Sequence, residues 1–155
     1  MKAVFPGSFD PPTLGHLNVI ERASGIFDEI VVLAAENRQK KYLFTIEERL
    51  EMLKKTVKGG NVRCASWDSL IVDYMKRENI RVLIRGIRGT DDFSHELELA
   101  MMNKALNPDI ETFFLTTDSR FTVLRSSSIK EIASLHGDVS QMVPPFVEAA
   151  LKRKF

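Results

Sequence analysis

Short apolar runs alternate along this chain with longer stretches in which apolar residues recur every three or four positions. The first pattern belongs to buried strands, the second to amphipathic helices. Residues 2–5, 29–35, 62–65, 82–84 and 112–115 make the strand-like runs, the second of them a β-branched apolar stretch. Between them, residues 14–24 carry Leu17, Ile20 and Ala23 at helical spacing. Thr45-Ile46-Glu47-Glu48 reads as a capping box opening a helix to about residue 57, which Gly59-Gly60 ends. A short helix over 70–78 turns Leu70, Tyr74 and Val72 inward. Thr90 caps a long helix over 91–106, with Asp91 and Asp92 in its first turn and Pro108 closing it. The last two helices cover 126–135, stopped by Gly137, and 145–154.

Strand and helix alternate throughout. This predicts a doubly wound, Rossmann-like α/β fold: a parallel five-stranded sheet with helices on both faces. No repeat, linker or composition break divides residues 1–155, so a single domain is expected. Ligands of such sheets bind beyond the carboxyl ends of the strands, where the strand order reverses. Four polar sets fall just after predicted strands: Ser8 to His16, Asn37 to Lys41, Arg85 to Arg88, and Ser119 to Ser128. They are therefore expected to converge on one site.

Charge narrows the partners. The chain holds 22 Lys and Arg against 21 Asp and Glu, which leaves no global field to draw it onto nucleic acid or an acidic membrane. Any anion site must be local. With 44% hydrophobic and 28% charged residues the composition is that of a globular domain. The N-terminus lacks a signal-peptide core, and nowhere do eighteen apolar residues run together, so a soluble, unexported, cytoplasmic protein is expected. Cys64 is the only cysteine; no intrachain disulfide can form, in keeping with a reducing compartment. It reads as a small buried hydrophobe on a strand.

Neither GxxxxGK[ST] nor GxGxxG occurs, so phosphate binding must come from elsewhere. Phe5-Pro6-Gly7-Ser8-Phe9-Asp10-Pro11-Pro12-Thr13-Leu14-Gly15-His16 joins a strand to a helix through a turn and places His16 at the helix start. Helix N-terminal amides attract anions, and an imidazole beside them can donate to phosphate oxygens. Lys40, Arg85, Arg88 and the serines at another helix start add donors for several phosphate groups. Such a set suits a nucleotide and a phosphorylated second substrate. His95 and His136 show no metal spacing, and no metal-ligating set is expected.

Pro6 to Pro11 with Thr13-Leu14-Gly15-His16 resembles the signature of the nucleotidylyltransferases, in its TxGH form. Lys40-Lys41, Phe44, Glu48-Arg49, Leu83 to Arg88, Asp92-Phe93, Glu96, Asn103, Ser126-Ser127, Lys130-Glu131 and Gly137-Asp138-Val139 extend the resemblance over nearly the whole chain, to the bacterial phosphopantetheine adenylyltransferases. The resemblance implies transfer of the adenylyl group of ATP to 4′-phosphopantetheine, giving dephospho-coenzyme A and pyrophosphate in coenzyme A biosynthesis. It makes His16 the transition-state stabiliser, and Ser8, Lys40, Ile71 and Arg85 the acceptor site. ATP would meet Ser8, Phe9, His16, Gly86, Ile87, Arg88, Glu96 and the stretch Phe121, Thr122, Val123, Leu124, Arg125, Ser126 and Ser127. Arg125 stands where relatives commonly carry a further serine, and Ser8 where many carry threonine. By the same resemblance, Mg2+ is held mainly through ATP phosphates, the enzyme is a homohexamer, and coenzyme A acts as a feedback ligand.

Residue by residue, blander roles compete. Lys41 reads as a solvated surface lysine, Ser126 and Ser127 as helix caps, and Ile71 equally as a core residue. Two other readings of the whole remain: an adenylyl- or cytidylyltransferase for another phosphorylated acceptor, and a non-catalytic nucleotide sensor.

Overall fold

The computed structural model describes residues 1–155 as five strands and six α-helices. In chain order they are β1 (Lys2–Gly7), α1 (Leu14–Ser24), β2 (Glu29–Ala35), α2 (Ile46–Thr56), β3 (Val62–Trp67), α3 (Ile71–Arg77), β4 (Val82–Ile87), α4 (Thr90–Leu106), β5 (Glu111–Thr116), α5 (Ser126–Ser134) and α6 (Pro145–Lys154). All strand pairings are parallel, in the order β3-β2-β1-β4-β5. The chain winds outward from β1 to β3, then returns to lay β4 on the other side of β1. The switch point lies between β1 and β4.

The two-residue period of the strands sorts the core into layers. Ala3, Phe5, Ile30, Val32, Val82 and Ile84 turn to one face, where Val19, Ile20 and Ala23 of α1 and Leu53 of α2 cover them. Val4, Val31, Leu33 and Leu83 turn to the other face, against Val72, Tyr74 and Met75 of α3. Beyond the sheet, Ile129 and Ala133 of α5 close on Val147, Ala150 and Leu151 of α6 and on Phe44 and Met52. Fully buried aliphatic residues such as Ile30 and Leu33 are each worth about 2–5 kcal/mol on truncation to alanine.

Three local expectations are corrected. Leu70 is 58% exposed because it precedes α3 in extended conformation, and the inward stripe starts at Val72. Thr90 does not cap α4; Gly89 occupies the N-cap position, and Thr90 is already helical. The fourth strand runs to Ile87, so Arg85, Gly86 and Ile87 end the strand and do not follow it. The Thr45–Glu48 capping box forms as expected. Cys64 lies half-buried on β3, and burial pushes its thiol pKa up.

Candidate active site

The turn after β1 builds the first wall. Thr13 is the N-cap of α1, its hydroxyl accepting from the His16 amide at 3.3 Å. In return the Thr13 amide donates to His16 Nδ1 at 3.0 Å. An amide can only donate, so Nδ1 is an acceptor and the neutral ring carries its proton on Nε2. Burial, with the positive charges of Arg88 and Arg85, lowers the His16 pKa from 6.5 to about 4. The imidazole is therefore a neutral donor at physiological pH. Phe9 meets it edge-on at 5.0 Å and occupies the left-handed region, φ 47°. Its ring fills the space beside Gly7, where a Cβ would lie 2.9 Å from the ring.

The second wall is the end of β4. Gly86 lies against Val19 of α1, and the arginines either side of it are each held by a carboxylate of α4. Arg85 donates to both oxygens of Glu96 and, at 2.9 Å, to the Pro6 carbonyl. Arg88 Nε donates to Asp92 at 2.9 Å, and another guanidinium nitrogen to the Leu124 carbonyl at 3.1 Å. Burial opposes the charge on Asp92, but the hydrogen bonds and charge of Arg88 outweigh it, so the carboxyl stays below its ordinary range. Both guanidinia still reach the cavity.

The third wall joins the loop after β2 to the start of α5. Lys40, Lys41 and Tyr42 come from the loop; Arg125, Ser126, Ser127 and Lys130 come from the helix. Ser126 and Ser127 do not cap α5. The backbone of Arg125 fills the N-cap position, and Ser126 Oγ donates instead to the Pro11 carbonyl at 2.9 Å. All three walls enclose a cavity of about 520 Å³ at the switch point, within the usual range for small-molecule sites.

Residues 4–132 match the cytidylyltransferase-like family. Over its full length the chain is 49% identical to the phosphopantetheine adenylyltransferase of Dictyoglomus thermophilum, covering 95% of that protein. It is 47% identical to the enzyme of that name from Geobacter metallireducens, with 99% of this chain and 94% of the other aligned. The chain belongs to the phosphopantetheine adenylyltransferase family. Among solved structures, the nicotinic acid mononucleotide adenylyltransferase of Plasmodium falciparum, complexed with NaAD, superposes with a TM-score of 0.72. That match covers 98% of this chain and 94% of the other at 13% identity, and it shows a shared fold.

In this adenylyltransferase the cavity wall gathers Ser8, Phe9, His16, Lys40, Arg85, Gly86, Arg88, Glu96, Phe121, Leu124, Arg125, Ser126 and Ser127. Lys41, read as a surface lysine, also lines it. Ile71, Ile87, Thr122 and Val123 do not reach it. Ile71 packs against the core under α3, and Val123 is 80% exposed. Asp10, Arg49, Asp92 and Lys130 carry the resemblance in sequence, and Asp92 is read there as a first-turn acid of α4, but none of them, nor Tyr42, is assigned a role in the site. Arg49 is fully buried, donating to the carbonyls of Ser8 (2.8 Å) and Ala35 (3.2 Å) and to Glu36 (3.0 Å), with its guanidinium 4.0 Å from the Tyr42 ring. Its signal was available: it shares the inward helical face with Met52 and Leu53.

Proposed function

We infer that this protein transfers the adenylyl group of ATP to 4′-phosphopantetheine, releasing pyrophosphate and forming dephospho-coenzyme A in coenzyme A biosynthesis. Full-length identity of 46–49% to proteins of that name carries the inference. The donor set supports it. Both reacting groups are phosphates, so attack needs neither an enzyme nucleophile nor a strong base; alignment and charge stabilisation suffice.

In this reading the acceptor phosphate oxygen attacks the α-phosphorus in line as pyrophosphate departs. His16 Nε2–H donates to a non-bridging α-oxygen, where charge builds in the transition state. Lys40 and Arg85 hold the acceptor phosphate, with the Ser8 hydroxyl between the two substrates. Arg88, the Gly86 amide and the start of α5 with Ser126 and Ser127 hold the triphosphate, and Arg125 adds positive charge beside it. Glu96 reaches ATP only by sharing or yielding its hold on Arg85.

Asp10, Asp92 and Glu96 are the carboxylates of the cavity wall, and each already bonds a cation of the protein. No group of three His, Cys, Asp or Glu is placed to hold a metal ion. That donor set fits magnesium carried by ATP phosphates and water. The ion would neutralise charge on the departing pyrophosphate.

We further propose a homohexamer in the cytoplasm. Phe93, Leu97, Met101, Met102 and Leu106 of α4 are large apolar residues left exposed and suited to subunit packing. No helix is long and apolar enough to cross a membrane. Coenzyme A, which contains the product, would compete for the same crevice.

Pyrophosphate release from ATP, measured in parallel with 4′-phosphopantetheine, nicotinate mononucleotide and glycerol phosphate, tests the reaction. Phosphopantetheine should be the only productive acceptor. Equal turnover with another acceptor overturns the substrate, and ATP binding without turnover on any of them overturns the enzyme.

A further inference from the structure

Asp10 belongs to the cavity wall, yet its carboxylate is engaged by the protein itself. Its side chain is 4% exposed, although it lies in the turn that forms the first wall. Both of its oxygens accept from other segments. One oxygen takes the Phe44 amide at 2.9 Å; the other takes the Leu43 amide at 3.0 Å and Lys130 Nζ at 2.7 Å. The turn after β1, the loop after β2 and helix α5 thus meet on a single side chain.

The loop needs such a tie. Residues 37–41 are exposed, and within the loop Tyr42 accepts from the Asn37 amide at 2.7 Å while its ring lies over Arg49. Asp10 fixes the other flank, immediately after Tyr42. Lys40 stands on the segment between the β2 end and this anchor, on a long flexible side chain whose reach depends on where its backbone is held.

We propose that Asp10 is a positioning residue that sets the place of Lys40 for the acceptor phosphate. The proposal rests on the assignment of Lys40 to that phosphate. Asp10→Asn keeps the shape but turns one acceptor into a donor facing an amide or an ammonium, which loosens the loop. Since a misplacement of about 1 Å can cost on the order of a hundred-fold, the partial loss here should raise the phosphopantetheine KM about ten-fold, with the ATP KM within about two-fold.

The experiment is a double-mutant cycle of Asp10→Asn with Lys40→Ala, reading KM for each substrate and kcat. If Asp10 acts through Lys40, Asp10→Asn adds less than about two-fold to the acceptor KM once Lys40 is gone. The same multiplied rise with or without Lys40, or an equal rise for ATP, overturns the proposal. If Lys40→Ala alone leaves the acceptor KM unchanged, the acceptor-phosphate assignment itself falls and the proposal with it. Amide hydrogen exchange on the unsubstituted protein gives a reading that no variant can spoil: Leu43 and Phe44 should be protected. Exchange of both at the rate of a free loop contradicts the anchor.

Discussion

The two walls that face each other across the switch point are held in opposite ways. His16 is fixed by backbone and hydroxyl groups of its own helix cap, and burial next to two arginines keeps it uncharged. Arg85 and Arg88 are fully charged groups, each matched by a carboxylate one to two turns into the next helix. A neutral donor locked in place has nothing to give up when charge develops opposite it, which is the condition for transition-state stabilisation. An arginine already paired must share or exchange its partner when a phosphate arrives. That exchange suits binding and selectivity more than rate.

Substitutions break the contrast in a definite order. His16→Ala should lower kcat by roughly two to three powers of ten while leaving ATP affinity within about two-fold, read by pyrophosphate release and by calorimetric titration of ATP. Arg85→Ala should act mainly on the acceptor. Loss of a charge-assisted hydrogen bond of about 1.5–3 kcal/mol predicts a rise of roughly ten- to a hundred-fold in the phosphopantetheine dissociation constant. Arg85→Lys should recover only part of it, because one ammonium cannot span Glu96, the Pro6 carbonyl and a phosphate as the planar fork does. An unchanged dissociation constant for Arg85→Ala would remove that wall from the acceptor site.

Thr13→Val is the gentlest probe. It deletes the cap to the His16 amide and the 3.1 Å contact of the hydroxyl with Nδ1, but leaves the Thr13 amide, the donor that sets the imidazole tautomer. Folding stability should fall by about 1 kcal/mol in urea titration, with kcat reduced less than about ten-fold. A kcat loss as large as that of His16→Ala would mean that the hydroxyl, not the amide, orients the ring.

The same contrast separates what was legible in the sequence from what was not. The His16 wall is local: Thr13 and His16 are three residues apart, and strand, turn and helix start follow one another. The arginine wall was read too short, because apolar periodicity stops at Ile84 where β4 changes from core to site, while its hydrogen bonding to β5 continues to Ile87. The pairing of Arg85 with Glu96, eleven residues on, depends on how α4 leaves the sheet. Ser126 shows the limit most clearly. Its spacing suggested a cap, but its hydroxyl is taken by Pro11, 115 residues away, a partner that only the folded crevice supplies. Helical spacing turns Arg49 inward, but the groups that make a buried charge tolerable there and at Asp10 come from distant segments that spacing does not show.

The central claim is that the rate-bearing wall carries a neutral imidazole with its proton on Nε2. Nitrogen-15 spectra of the His16 ring across pH 8 to 4.5 test it directly. With the pKa lowered to about 4, the ring should keep a protonated Nε2 and a bare, hydrogen-bonded Nδ1 through most of that range, beginning to charge only at its acid end. A ring that titrates near 6.5, or that carries its proton on Nδ1, would contradict the account.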